Sequence, residues 1–121
     1  MDEGLKRYIV CGGRHYNDWH FLMSKLNTLF QQDWNFVLVH GAAPGADTLA
    51  SQWGEWVQVI VEPHPADWDK YGKAAGMIRN QEMLDSGVDG VVAFPGGVGT
   101  AGMVRIARKA GVPVWDLRGG V

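Results

Sequence analysis

The chain has 121 residues, 46% apolar and 20% charged, a size and mix that support one buried core and exclude disorder, collagen and a coiled coil. Eleven Lys and Arg against thirteen Asp and Glu leave a net charge of −2, so no global positive field draws the molecule onto nucleic acid or an anionic membrane. The first seven residues carry acids and no signal-peptide-like apolar stretch, no apolar run reaches about 18 residues, and the single Cys11 closes no internal disulfide, so a cytoplasmic protein is expected.

Tyr8-Ile9-Val10-Cys11 reads as a short buried strand ended by a tight turn at Gly12-Gly13. Asp18 offers a helix N-cap, and Leu22, Leu26, Leu29 and Phe30 recur on one helical face. Phe36 to His40 is a second apolar strand broken by Gly41, followed by a helix from Pro44 to Trp56 with Leu49, Trp53 and Trp56 about a turn apart. Val57 to Val61 is predicted as a third strand, stopped by Pro63 and Pro65, and Asp67 caps a third helix from about Trp68 to Leu84. Gly90 to Phe94 is a fourth strand, Gly99 to Ala110 a fourth helix closed by Gly111, and Val112 to Leu117 a fifth strand. Strands apolar on both faces and alternating with helices predict a three-layer, Rossmann-like α/β sandwich with a mainly parallel sheet of about five strands, a single domain over residues 1–121.

Seventeen glycines are about twice ordinary usage. They follow the strands: Gly12-Gly13-Arg14 after the first, Gly41 to Asp47 after the second, Pro95 to Thr100 after the fourth. Open parallel sheets bind ligands at this edge, where glycine lets backbone N–H groups approach an anion and a helix N-terminus adds partial positive charge. Gly97, Gly99 and Gly102 spell G-x-G-x-x-G with Asp116 nineteen residues beyond Gly97, resembling a dinucleotide fingerprint displaced to the fourth strand; a Walker A loop is absent. On the third helix, Gly72, Gly76, Arg79, Asn80 and Met83 share a face, leaving room beside a fork of donors suited to phosphate or carboxylate. Trp68 at its start offers an indole for stacking on a base or for packing. His15, His20, His40 and His64 show no metal-ligand spacing, so neither metal nor cofactor is expected, and no G-x-S-x-G elbow exists. His40 reads as a satisfied strand-end residue, Trp19, Trp53 and Trp56 as core or subunit contacts, and Arg108 and Lys109 as partners of their helix's C-terminal dipole.

Gly12-Gly13-Arg14 with Tyr16 and Asp18, His40 to Asp47, Ala66-Asp67-Trp68 with Gly72 to Gly76, Arg79-Asn80 with Met83-Leu84, and Phe94 to Thr100 resemble the YspA-like branch of the SLOG superfamily over nearly the whole chain. That superfamily includes the Lonely Guy (LOG) phosphoribohydrolases and the DNA-processing protein DprA. The resemblance implies a Rossmannoid fold whose loops bind a nucleotide or nucleotide-derived ligand, commonly as a homodimer, in the bacterial or phage-infected cytoplasm. The expected ligand-binding residues are Gly12, Gly13, Arg14, Gly41, Ala42, Gly45, Asp47, Trp68, Lys73, Arg79, Asn80, Pro95, Gly96, Gly97, Gly99 and Thr100. The LOG motif Pro-Gly-Gly-x-Gly-Thr-x-x-Glu ends on a catalytic glutamate, and here Met103 stands in its place. Methionine exchanges no proton, so a sensor or sequestering module is expected before an enzyme. The alternatives are a LOG-like phosphoribohydrolase or nucleotide N-glycosidase with Asp47 and Arg79 as candidate catalytic residues, and DprA-like binding of single-stranded DNA, which the net charge opposes. Arg79→Ala is expected to abolish binding with the melting temperature nearly unchanged.

Overall fold

The computed structural model describes residues 4–33 and 35–119. Strands β1 (Arg7–Cys11), β2 (Val37–His40), β3 (Ile60–Pro63), β4 (Gly90–Ala93) and β5 (Val114–Asp116) form one all-parallel sheet of order β3-β2-β1-β4-β5. The chain steps outward from β1 to β3, returns beside β1 as β4, and so places a topological switch point between β1 and β4.

The period-two alternation of the strands sorts side chains into two apolar layers. Val10, Leu38, Val92 and Phe94 face the helices α1 (Trp19–Gln32) and α2 (Ala46–Val57), joining Leu22, Leu26 and Trp53 in one core. Ile9, Val37, Val39 and Val91 face the helices α4 (Ala75–Asp85) and α5 (Val98–Lys109), joining Met83, Met103 and Ala107 in the other. The three-layer sandwich expected from the sequence is therefore present. Trp53 stacks on Phe36 at 5.9 Å, and its indole N–H donates to Asn27 Oδ1 at 2.9 Å, so this buried tryptophan is satisfied. Trp56, three residues later, is 67% exposed and belongs to neither core.

β5 is half the expected Val112–Leu117, α2 starts two residues after Pro44, and two further elements differ more in kind. Val57 completes α2, Gln58 caps it in the left-handed region at φ 66°, and the third strand begins only at Ile60 and runs through Pro63. Proline is tolerated there because β3 is an edge strand. The expected helix Trp68–Leu84 is broken into α3 (Trp68–Tyr71), a 3₁₀ turn (Gly72–Ala74) and α4. Gly72 is the cause: at φ 56° and ψ −134° it takes a conformation that only glycine visits freely.

Candidate functional site

The carboxyl ends of β1, β2 and β4 open into a cleft of about 1030 Å³, at the upper end of small-molecule sites. Gly12 to Asp18 form one wall, Gly41 to Pro44 with Asp47 a second, Trp68, Lys73 and the face of α4 a third, and Pro95 to Thr100 the floor beside α5. The walls are locked together by backbone: Gly13 N–H donates to the Pro95 carbonyl at 2.9 Å, and the Gly13 carbonyl accepts from Ala46 N–H at 3.1 Å. A Cβ on Gly12 would strike Ala46, and one on Gly96 would strike Thr100 Oγ1 and the Gly13 amide, so these glycines let three loops meet.

The β2–α2 loop spends its polar groups on itself. Asp47, only 6% exposed in the first turn of α2, accepts through Oδ2 from Gly41 N–H at 3.1 Å and Ala43 N–H at 3.2 Å. Between them Ala42, at φ 56°, donates its N–H to His40 Nδ1 at 2.9 Å. His40 must therefore carry its proton on Nε2, and burial, with His64 and Arg79 nearby, holds its pKa below the usual histidine value. The Gly41 carbonyl in turn accepts from Arg79 Nη1. Burial pushes the Asp47 carboxyl up to about 6, against the downward pull of the Ala43 amide, Arg79 and the Gly41 amide.

The β4–α5 loop is built the other way. Gly97 occupies the N-cap of α5 without a capping side chain, and the first turn holds no acid. The first described bond of the helix is Ala101 N–H to the Gly97 carbonyl, and no described hydrogen bond uses the amides of Val98, Gly99 or Thr100. A Cβ on Gly97 or Gly99 would meet nothing within 4 Å, so no protein atom requires glycine at either position. Three unengaged amides thus stand at the positive end of a twelve-residue helix, beside bare Cα atoms, the arrangement by which helix N-termini generally accept anions.

Arg79 and Asn80 of α4 join the two loops. Arg79 Nε donates to Asn80 Oδ1 at 3.0 Å, and Asn80 Nδ2 donates to the Gly99 carbonyl at 3.2 Å. With Nη1 held on Gly41, only Nη2 of the guanidinium has no described partner. Arg79 is thus a structural tie as well as a cation, which argues against the expectation that its removal leaves the melting temperature nearly unchanged. Arg14, Lys73 and Arg79 line the cleft without an ion pair among the described residues, against Asp18 and the internally bonded Asp47, so the cleft is locally positive in a chain of net charge −2.

Of the residues expected from sequence, Gly12, Gly13, Arg14, Gly41, Ala42, Asp47, Trp68, Lys73, Arg79, Asn80, Pro95, Gly96, Gly97, Gly99 and Thr100 surround this cleft. Gly45 does not line it: at φ 81° it packs against the Gly13 carbonyl and Arg14, joining the first loop to α2. Asp116, the acid of the G-x-G-x-x-G reading, is also outside the lining and is held by Arg118 at 2.8 Å and Arg108 at 3.1 Å. Met103 lies fully buried between the sheet and α5, away from the cleft. Among the lining residues that were not expected ligand contacts are Tyr16, quoted only in the family motif, whose hydroxyl is the one buried side-chain polar atom lacking a partner among the described residues, and Met77, a half-exposed residue on the α4 wall. The Gly-Gly-Arg turn was the available signal for Tyr16; Met77 had none, because the break at Gly72 sets its direction. Cys11 reaches the cleft, but burial pushes its thiol up to about 12, which leaves no thiolate nucleophile at neutral pH.

Fold and cleft define a Rossmann-like α/β protein with a ligand-sized opening at its switch point. Residues 6–71, just over half the chain, match the model of the YspA, cpYpsA-related SLOG family, and the chain belongs to that family. It is 40% identical over 121 aligned positions to the Gene 61 protein of Mycobacterium phage D29, covering 91% of this chain and 94% of that one. Its fold is similar to that of DNA processing protein A (DprA) from Streptococcus pneumoniae, with a TM-score of 0.76 at 16% identity. The match covers 93% of this chain and 50% of DprA, so the chain spans about half of DprA's length. Among the described residues, no helix is long and apolar enough to cross a membrane, and no group of three or more His, Cys, Asp or Glu is placed to hold a metal ion.

Proposed function

We propose that the protein is a binding module for a nucleotide-derived small molecule, whose phosphate sits on the amides of Val98, Gly99 and Thr100 with Arg79 Nη2 and Arg14 as counter-charges. The observation that carries this reading is the uncapped, acid-free N-terminus of α5 opening into a locally positive cleft. Family membership supports it, and the walls leave ample room for a base and sugar beyond the phosphate.

Binding is favoured over hydrolysis by the same geometry. Met103 is sealed in the core, and Asp47, the remaining carboxylate candidate, already holds two loop amides through Oδ2. Isothermal titration of AMP and ADP-ribose, followed by chromatography of the mixture, tests the reading: saturable binding with no released base is expected. Release of base under turnover overturns the pure binder. Salt-dependent retention of a single-stranded oligonucleotide with no affinity for either nucleotide overturns the small-molecule ligand.

A further inference from the structure

Residues 67–74, which carry α3 and the 3₁₀ turn, are exposed without interruption. The described hydrogen bonds of residues 67–72 stay close within the segment or pass to its immediate continuation. Lys70 N–H donates to Asp67 Oδ1 at 3.1 Å, Tyr71 N–H to the Asp67 carbonyl at 3.0 Å, Gly72 N–H to the Trp68 carbonyl, and Ala75 N–H to the Gly72 carbonyl. The packing of α3 is on that turn and on α4, its own continuation. Pro63 and Pro65 stiffen the chain on one side, and Gly72, in a glycine-only conformation, breaks it on the other. A short element with exposed, local hydrogen bonds and little burial belongs to the least stable part of a fold.

This loosely held segment carries side chains into the cleft wall. Trp68 and Lys73 both line it, and Trp68 is 52% exposed. A Cβ on Gly76 would stand 3.5 Å from Trp68 Cη2 and 4.0 Å from Arg79 Nη2, so the indole edge and the guanidinium converge over bare backbone. Met77 and Val98, the latter 87% exposed, complete an apolar mouth above the polar floor. The half-exposed Trp68 ring beside the Arg79 guanidinium offers a flat apolar face on which an aromatic base can stack.

Resting on the reading of the cleft given above, we infer that residues 67–74 are a lid, and that Trp68 closes on the base of the ligand, making the site select phosphates that carry an aromatic base over sugar phosphates that do not. The α5 amides and Arg79 hold the anion, while the lid orders only when a planar group is present to stack on.

The test is a pair of titrations, AMP and ribose 5-phosphate, into the wild type and Trp68→Ala, with melting curves for both proteins. Trp68→Ala is expected to weaken AMP roughly 5- to 150-fold, to leave ribose 5-phosphate unchanged, and to melt like the wild type, with Trp68→Phe recovering part of the loss. Hydrogen exchange in residues 67–74 is expected to slow with saturating AMP and not with ribose 5-phosphate. AMP bound equally well by wild type and Trp68→Ala, or both compounds weakened alike, overturns the lid while leaving the anion site standing. Failure of the wild type to bind either compound overturns the reading of the cleft, and the lid with it.

Discussion

The loops after β2 and β4 look alike as sequence, each a buried strand running into glycines, a proline and the start of a helix, yet they do opposite things. In His40-Gly41-Ala42-Ala43-Pro44-Gly45-Ala46-Asp47 three successive amides are taken by Asp47 and His40, and the Gly41 carbonyl is taken by Arg79. In Phe94-Pro95-Gly96-Gly97-Val98-Gly99-Thr100 the helix-starting amides are left without described partners, and Gly97 and Gly99 face open space. A glycine-rich turn at the sheet edge is therefore not itself a receptor. What decides is whether the chain supplies its own acceptor, and one acid in the first turn of α2, absent from α5, makes the difference.

The largest test of this contrast is Asp47→Ala, which leaves the Gly41 and Ala43 amides without their acceptor and the strained Ala42 less well held. A loss of about 2–5 kcal/mol in urea unfolding is expected, and an effect near zero would show that the loop does not depend on its own carboxylate. Next comes pH. The folded chain holds the Asp47 proton up to about 6, above its ordinary 3.8, so this group's contribution to stability falls as pH rises from about 4 to about 6. Asp47→Asn should remove that fall, worth about 3 kcal/mol, in melting curves across the range. His40 works in the opposite sense: with its pKa depressed, the stability it lends is full above about 6.5 and is lost as pH falls below, so the wild-type minus Asp47→Asn difference is the quantity to read.

Smaller effects separate the glycines. Gly96→Ala drives a Cβ into Thr100 Oγ1 and the Gly13 amide and should lower stability by about 1–3 kcal/mol. Gly99→Ala meets no protein atom and should leave stability unchanged or raise it by up to about 1 kcal/mol, while weakening AMP on the order of tenfold by crowding the anion. Equal behaviour of the two variants breaks the distinction. Arg79→Ala should combine both kinds of loss: affinity falls with the cation, and the melting temperature falls a few degrees because the Gly41 carbonyl loses its donor.

Much of the fold was legible because the inner strands β2 and β4 are buried throughout and the long helices α1, α2 and α5 repeat their apolar residues every three or four positions. The β3 boundary was not, since Val57 suits the end of α2 as well as the start of a strand, and only the left-handed Gln58 decides between them. Nor was the break at Gly72, where a glycine inside a helical pattern reads as a tolerated residue until its φ is known. Strand-end position was enough to gather most expected site residues around one cleft. It said nothing of which amides remain unengaged, because that depends on where the Asp47 and Arg79 side chains land, a tertiary fact beyond spacing. Gly45 shows the limit well: its place in the motif suggested a ligand contact, and packing against Gly13 is what it does.

The most direct test of the central claim is an NMR titration of AMP into ¹⁵N-labelled protein, following the backbone amides of both loops. The account predicts that the largest shifts fall on Val98, Gly99 and Thr100, with those of Gly41, Ala42 and Ala43 small because they are already bonded to Asp47 and His40. Shifts centred on Gly41, Ala42 and Ala43, with the α5 amides unmoved, would contradict it.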